Sequence, residues 1–354
     1  MKKRLVSLDM AKGIGILSVL IVHCLALVPA RTAVIYLLGS LMLIFFFITG
    51  YNYRPGKRSV SQNIKQRAKQ ILIPFYLYSV GIMIISSVIY ISMGEMTLQE
   101  AFKDSIGFFC GIMPTGSVFR YIFMPYWFLP IMFLSSVLFF FIADFSLKSA
   151  KRTLLISLLL MAISVPILGY TNDAPWRWPL IPVCSAIMLM GAYAGQKQFF
   201  ANPPFKGVKL GLSVLCAAII SVVLTIIFGS SYTISRGQLG SFGGWSVFSA
   251  VVICLVQIYM LVFGCELMSK AELVQKVFSW FGVYSMQILV AHMFVAIIVS
   301  RFTGWPCGFV LMSQREEIEG IAQAFQTTAL YFVTIGLLVC WLLIWGKIKE
   351  SMKK

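Results

Sequence analysis

A lysine and a histidine, Lys12 and His23, stand eleven residues apart inside one apolar run, MAKGIGILSVLIVHCLALVP. Lysine offers a fixed cation to an anionic ligand. Histidine offers a base, because its unperturbed pKa of about 6.5 leaves much of it neutral near physiological pH. If the run is a helix, eleven residues bring the chain back to within roughly 20° of the same face and separate the two groups by about 16 Å along the axis. One face then carries a cation near a membrane surface and a base deep within. Ionisable groups inside a bilayer segment are costly and face a protein interior or a water-filled cavity, which makes both residues functional candidates. The chain's one other histidine, His292, also lies within an apolar run. It either bonds a neighbouring helix or assists His23. Two histidines without a nearby acidic ligand make a poor metal site, so no metal is expected. No GxSxG or similar nucleophile signature appears.

The elements that must hold these groups are membrane helices. Of 354 residues 59% are hydrophobic and 12% charged, with a mean hydropathy of +0.89, far outside the balance of a soluble globular protein. A bilayer core of ~30 Å needs about 20 mostly apolar residues per crossing. The sequence predicts an all-α fold with ten transmembrane spans, near 10–30, 32–53, 71–93, 122–143, 153–170, 178–195, 208–228, 247–268, 278–300 and 323–346. His23 then lies about thirteen residues into span one and His292 about fourteen into span nine, both roughly 20 Å from the cytoplasmic end. Loops are short, so 1–354 reads as a single membrane domain.

The net charge of +17 does not point to nucleic acid, because the cations follow the membrane sides. Twenty-one of the 29 Lys and Arg fall on the side of the N-terminus, seven on the other, and Lys12 within span one. The positive-inside rule places both termini in the cytoplasm, consistent with an even span count. The KKR start is not read as a secretory signal, since Asp9 and Lys12 interrupt it and another span comes at once. A lipoprotein reading of IVHC also fails, because His23 replaces the small residue expected before the cysteine.

The longest cytoplasmic loop, YRPGKRSVSQNIKQRAKQ, holds six cations and no acid. It can be a topology signal, a seat for anionic headgroups, or a surface for an anionic soluble ligand. The external stretches GIMPTGSVFRYIFMPYWF and YTNDAPWRWP are aromatic-rich, as a carbohydrate site or a membrane interface would be. The eight cysteines show no CxxC and mostly fall within spans, where they pack as soft apolar groups. Cys110 and Cys307 both fall outside the spans, where an oxidising compartment would permit pairing.

On these residues the chain resembles the acyltransferase-3 family of polytopic membrane acyltransferases, within it the fucose O-acetylase-like branch. LVSLDMAKGIGILSVLIVH resembles the family's opening segment, and its basic-x10-His motif falls on Lys12 and His23. FFFITGY at 45–51, QILIPFY at 70–76, YWFLPIMF at 126–133 and YSMQILVAH at 284–292 agree in order and spacing. One departure is that the family often shows Arg-x-x-Arg before the ILIP-like segment, whereas this chain has Arg67 and then Gln70, with Lys65 and Lys69 nearby.

The resemblance implies an acetyl or other short acyl transfer from cytoplasmic acyl-CoA to a hydroxyl of a cell-surface or lipid-linked glycan, in a cell membrane, by origin a bacterial plasma membrane. His23 and His292 are then the catalytic candidates, with His23 as general base. Lys12, Arg67 and Lys69 hold the phosphates of acetyl-CoA, and Asp9, Tyr51 and Trp127 are substrate-side candidates, Asp9 by orienting Lys12. Membrane lipids are the remaining partners. The alternative reading is a transporter or flippase of a lipid-linked sugar. The lack of an internal repeat between the two halves weakens it.

Overall fold

A computed structural model of the chain describes residues 5–25, 28–39, 41–112, 119–171, 174–229, 243–308, 310–311 and 320–351. These residues are helical nearly throughout, and no strand occurs among them. Ten segments among them are long and apolar enough to cross a membrane: Val6–Cys24, Thr32–Tyr51, Val60–Ser92, Tyr121–Ser146, Ala150–Tyr170, Pro175–Gln196, Gly207–Phe228, Trp245–Met268, Ser285–Thr303 and Ile321–Ile348. Each expected span falls on one of them. Leu77, Phe141, Ile226 and Phe332 are among many large apolar side chains exposed on the outside, as a lipid-facing surface requires. The protein is a multi-pass, all-α membrane protein.

Boundaries differ where local chemistry overrides hydropathy. Helix α1 spans Val6–Cys24, and Leu25 turns extended, so the expected span 10–30 ends early. Helix α2 (Val28–Leu38) follows with Pro29 in its first turn, where a missing N–H costs nothing. Helix α3 is Leu41–Tyr51, and the carbonyls near the end of α2 face helices that come later in the chain. One of them, Tyr36 O, accepts from Gln257 Nε2 at 3.1 Å and from Ser221 Oγ at 3.2 Å.

Helix α4 (Val60–Ser92) starts eleven residues before the expected 71, on a capping box between Ser59 and Gln62. Lys65, Arg67 and Lys69 therefore ride on a helix and not on a loop. Helix α5 is Leu98–Phe109 and α6 Phe119–Phe123, followed by a 3-10 turn, Met124–Trp127. Next come α7 (Phe128–Ser146), α8 (Ala150–Ile167), α9 (Ile181–Gln196), α10 (Gly207–Phe228) and α11 (Trp245–Met268). The expected span 278–300 proves to be two helices that meet at Tyr284, namely α12 (Glu272–Val283) and α13 (Ser285–Thr303). Glu272, Gln275, Lys276 and Ser279 make α12 amphipathic, so it does not continue the span. Helix α14 is Gly320–Ser351.

Glycines set the closest helix crossings. A Cβ at Gly13 of α1 would lie 1.9 Å from Phe278 O of α12, and one at Gly282 would lie 1.8 Å from Asp9 O. Helices α3 and α9 approach in the same way, through Gly50 against Met188 and Gly191 against Phe47. In lipid the hydrophobic effect does not drive helices together, so such close backbone packing supplies much of the association. Gly282→Val should force α1 and α12 apart and cost on the order of 1–3 kcal/mol, as overpacking does. Thermal unfolding of the detergent-solubilised variant checks this, with a lowered midpoint expected.

Candidate active site

The glycine contact between α1 and α12 sets the register of the residues beyond it. Gly13 meets Gly282 and, ten residues on in each stretch and past the break at Tyr284, His23 meets His292, so the two stretches run in the same direction. His23, in the last turn of α1, has Nδ1 2.9 Å from Nε2 of His292 on α13. The ring centroids are 5.2 Å apart with 12° between the planes. That separation is what a 2.9 Å nitrogen contact becomes when nearly coplanar rings meet edge to edge, so the contact is a linear hydrogen bond and not a face-to-face stack.

His292 is fully buried, and its Nδ1 faces Leu289 O at 2.7 Å and Ile288 O at 3.2 Å. The next carbonyl, Val290 O, accepts from the hydroxyl of buried Tyr126 on the 3-10 turn. Cys307 Sγ donates to the His23 carbonyl at 3.6 Å. Carbonyls of α13, the 3-10 turn and the segment after α13 therefore surround the pair.

Below the pair lies a cavity of about 650 Å³. Among the described residues five cations line it, Lys12, Arg54, Lys57, Arg58 and Arg67, with the amides of Asn52, Asn63, Gln66 and Gln70 and no Asp or Glu. Cations gathered within low-dielectric walls focus a field that attracts anions. Lys12 Nζ is 2.7 Å from Asp9, which lies one turn earlier. Arg67 Nε donates to Ser136 Oγ at 3.3 Å, while its Nη2 is buried with no partner among the described residues. A buried guanidinium nitrogen left unmatched is expensive, and an anionic ligand would satisfy it. Tyr53 also lines the cavity and donates to Asp144 at 2.8 Å. Burial, and then the Asp144 carboxylate, push its phenol up, which keeps it a donor. Phe45, Ile48, Phe128, Met132 and Leu289 form an apolar wall. Leu289 joins the two features, since it lines the cavity and its carbonyl holds His292.

Lys12 and Arg67 thus share one cavity, and His23 and His292 form one pair. Lys69 does not line the cavity; it is exposed, two residues and about 200° around α4 from Arg67. Gln70, where the resembling family often has a second arginine, does line it. Pro74 cannot donate to the Gln70 carbonyl one turn back. Tyr51 is buried against Phe200, with ring centroids 5.4 Å apart, away from the cavity. Trp127 lies under the Arg177 guanidinium, 4.8 Å from its ring centre. Cys110 is exposed and Cys307 buried, and no disulfide joins them. The stretches 113–118, 230–242 and 312–319, which the sequence places in loops expected to be external, lie outside the described residues.

Sequence reasoning missed Arg54, Lys57 and Arg58 as cavity residues, although their density in one acid-free loop was the signal. Tyr126 carried no signal beyond its place in YWFLPIMF.

A family model described as an acyltransferase domain matches residues 5–345 of the chain. No curated protein and no solved structure matches it. The family match decides between chemistry and transport in favour of an acyltransferase.

Tyr126→Phe should leave Val290 O without its buried donor and lower stability by about 1 kcal/mol. Comparison of unfolding midpoints with wild type in the same detergent measures the loss.

Proposed function

The chain belongs to this acyltransferase family, and we propose that its donor is a cytoplasmic acyl-CoA, its acceptor a glycan hydroxyl and its base His23. The acyl group is acetyl or another short chain, and the acceptor a cell-surface or lipid-linked glycan, as the fucose O-acetylase-like resemblance suggests. The observation that carries the donor is the cavity whose lining, among the described residues, holds five cations and no carboxylate, next to a histidine pair. An acyl-CoA joins a polyanionic nucleotide to a long, slender thioester arm. It needs cations at one end, an apolar track, and a base one arm length away. Lys12 and Arg67, with Arg54, Lys57 and Arg58, supply the first, and Lys69 adds long-range attraction from the outer face of α4. The wall of Phe45, Ile48, Phe128 and Leu289 supplies the second, and His23, about 16 Å beyond Lys12 on α1, the third.

In the reaction His23 takes the proton of the acceptor hydroxyl as its oxygen attacks the thioester carbonyl. The C–S bond breaks, and the proton passes on to the departing thiolate. The excess of cations on the side of the N-terminus supports a cytoplasmic location for both termini and for the donor cavity. It also supports residence in a cell membrane, for which a bacterial plasma membrane is the natural setting.

Labelled acetyl-CoA incubated with membranes that contain the protein, with label followed into glycan, tests this reading. His23→Ala should lower transfer by about 10²–10⁴-fold while the protein still inserts. Undiminished transfer in that variant would contradict the role of His23. Arg67→Leu should raise KM for acetyl-CoA about 10–100-fold with kcat largely kept.

A further inference from the structure

We propose, resting on the reading of His23 as the base, that His292 is a positioning residue: it holds the proton of His23 on Nδ1, so that the proton-accepting lone pair is on Nε2. The atoms able to donate decide this. His292 Nδ1 faces two backbone carbonyls, Leu289 O at 2.7 Å and Ile288 O at 3.2 Å, and carbonyl oxygens only accept. Nδ1 of His292 therefore carries a proton.

A second proton on its Nε2 would make His292 a fully buried cation whose partners are two carbonyls and another imidazole. None of them is an anion, and an unpaired buried charge is costly. Nε2 of His292 is thus an acceptor. His23 Nδ1, 2.9 Å away, must be the donor, since two lone pairs facing each other at that distance would repel. The near-coplanar, edge-to-edge rings suit a straight bond. A neutral imidazole with its proton on Nδ1 has its lone pair on Nε2.

His292 takes up no proton during turnover. When Nε2 of His23 receives the acceptor's proton, the Nδ1–H bond to His292 stays in place. That bond keeps the ring from rotating while the O–C bond forms, the C–S bond breaks and the proton moves from Nε2 to the thiolate sulfur. His292 thus does for His23 what an orienting carboxylate does in other base–orienter pairs, but without a charge.

The chain has two histidines, so selective ¹⁵N-histidine labelling of the full-length protein in lipid nanodiscs gives four ring nitrogens to assign. Both Nδ1 atoms are expected to be protonated and both Nε2 atoms unprotonated, with a coupling across the bond from His23 Nδ1 to His292 Nε2. A proton on His23 Nε2 in the wild-type protein overturns the inference without touching the role of His23 as base. His292→Leu should lower kcat about 10²-fold or more, with KM for acetyl-CoA unchanged. His292→Gln, whose side-chain carbonyl can accept the same proton, should stay within about tenfold of wild type. Equal loss in both variants, or an unchanged kcat in His292→Leu, also overturns it. His23→Ala assayed alongside separates the two claims: full activity there contradicts the base itself, whatever the tautomer.

Discussion

At Gly13 and Gly282 the backbones of two helices touch, and the arrangement of the site depends on that contact. A side chain at either position would fall 1.9 or 1.8 Å from a carbonyl oxygen of the other helix. Hydrogen in place of Cβ lets α1 and α12 meet at a fixed register, and ten residues beyond each glycine the two imidazoles arrive within hydrogen-bond distance. The same crossing places Lys12, paired with Asp9, in the cavity lining beside Val283, Ser285 and Met286. A shift of one residue at the crossing would turn a helix by about 100° and separate the histidines.

The protein distributes its polar groups as a membrane interior demands. The carbonyl at the end of α2 is met by Gln257 and Ser221, the carbonyls of residues 288–290 by His292 and Tyr126, and the carbonyl of His23 by Cys307. Several buried hydroxyls and an amide lack a partner among the described residues, but Nη2 of Arg67 is the one such atom among them that belongs to a charged group, and it borders a cavity whose described lining carries cations without acids. Apolar spans surround a positively charged chamber that calls for an anion, and one helix leads from that chamber to a histidine pair. This combination underlies the proposed donor.

Much of the architecture was legible in the chain. Continuous apolar runs gave ten spans, and because α1 is unbroken from Val6 to Cys24, the helical spacing of Lys12 and His23 carried over intact. Tertiary register was not legible, because nothing local to residue 23 or 292 says that the rings meet. The break at Tyr284 was hidden because α12 presents enough apolar residues on one face to merge with the next span in any hydropathy average. The cations Arg54, Lys57 and Arg58 belong to a turn without periodicity, so their direction could not be read. The separation of Lys69 from Arg67 was a different matter, since two residues on a helix point about 200° apart, and only the expectation of a loop there concealed it.

The central claim is that one helix face leads from an anion-binding chamber to a base. A cryo-EM structure of the protein in nanodiscs with a non-hydrolysable acetyl-CoA analogue tests it most directly. The account predicts the nucleotide phosphates among Lys12, Arg67 and the Arg54–Arg58 turn, with the thioester mimic lying along α1 within reach of His23. Phosphates bound elsewhere, or an acyl end that points away from the histidine pair, would contradict it.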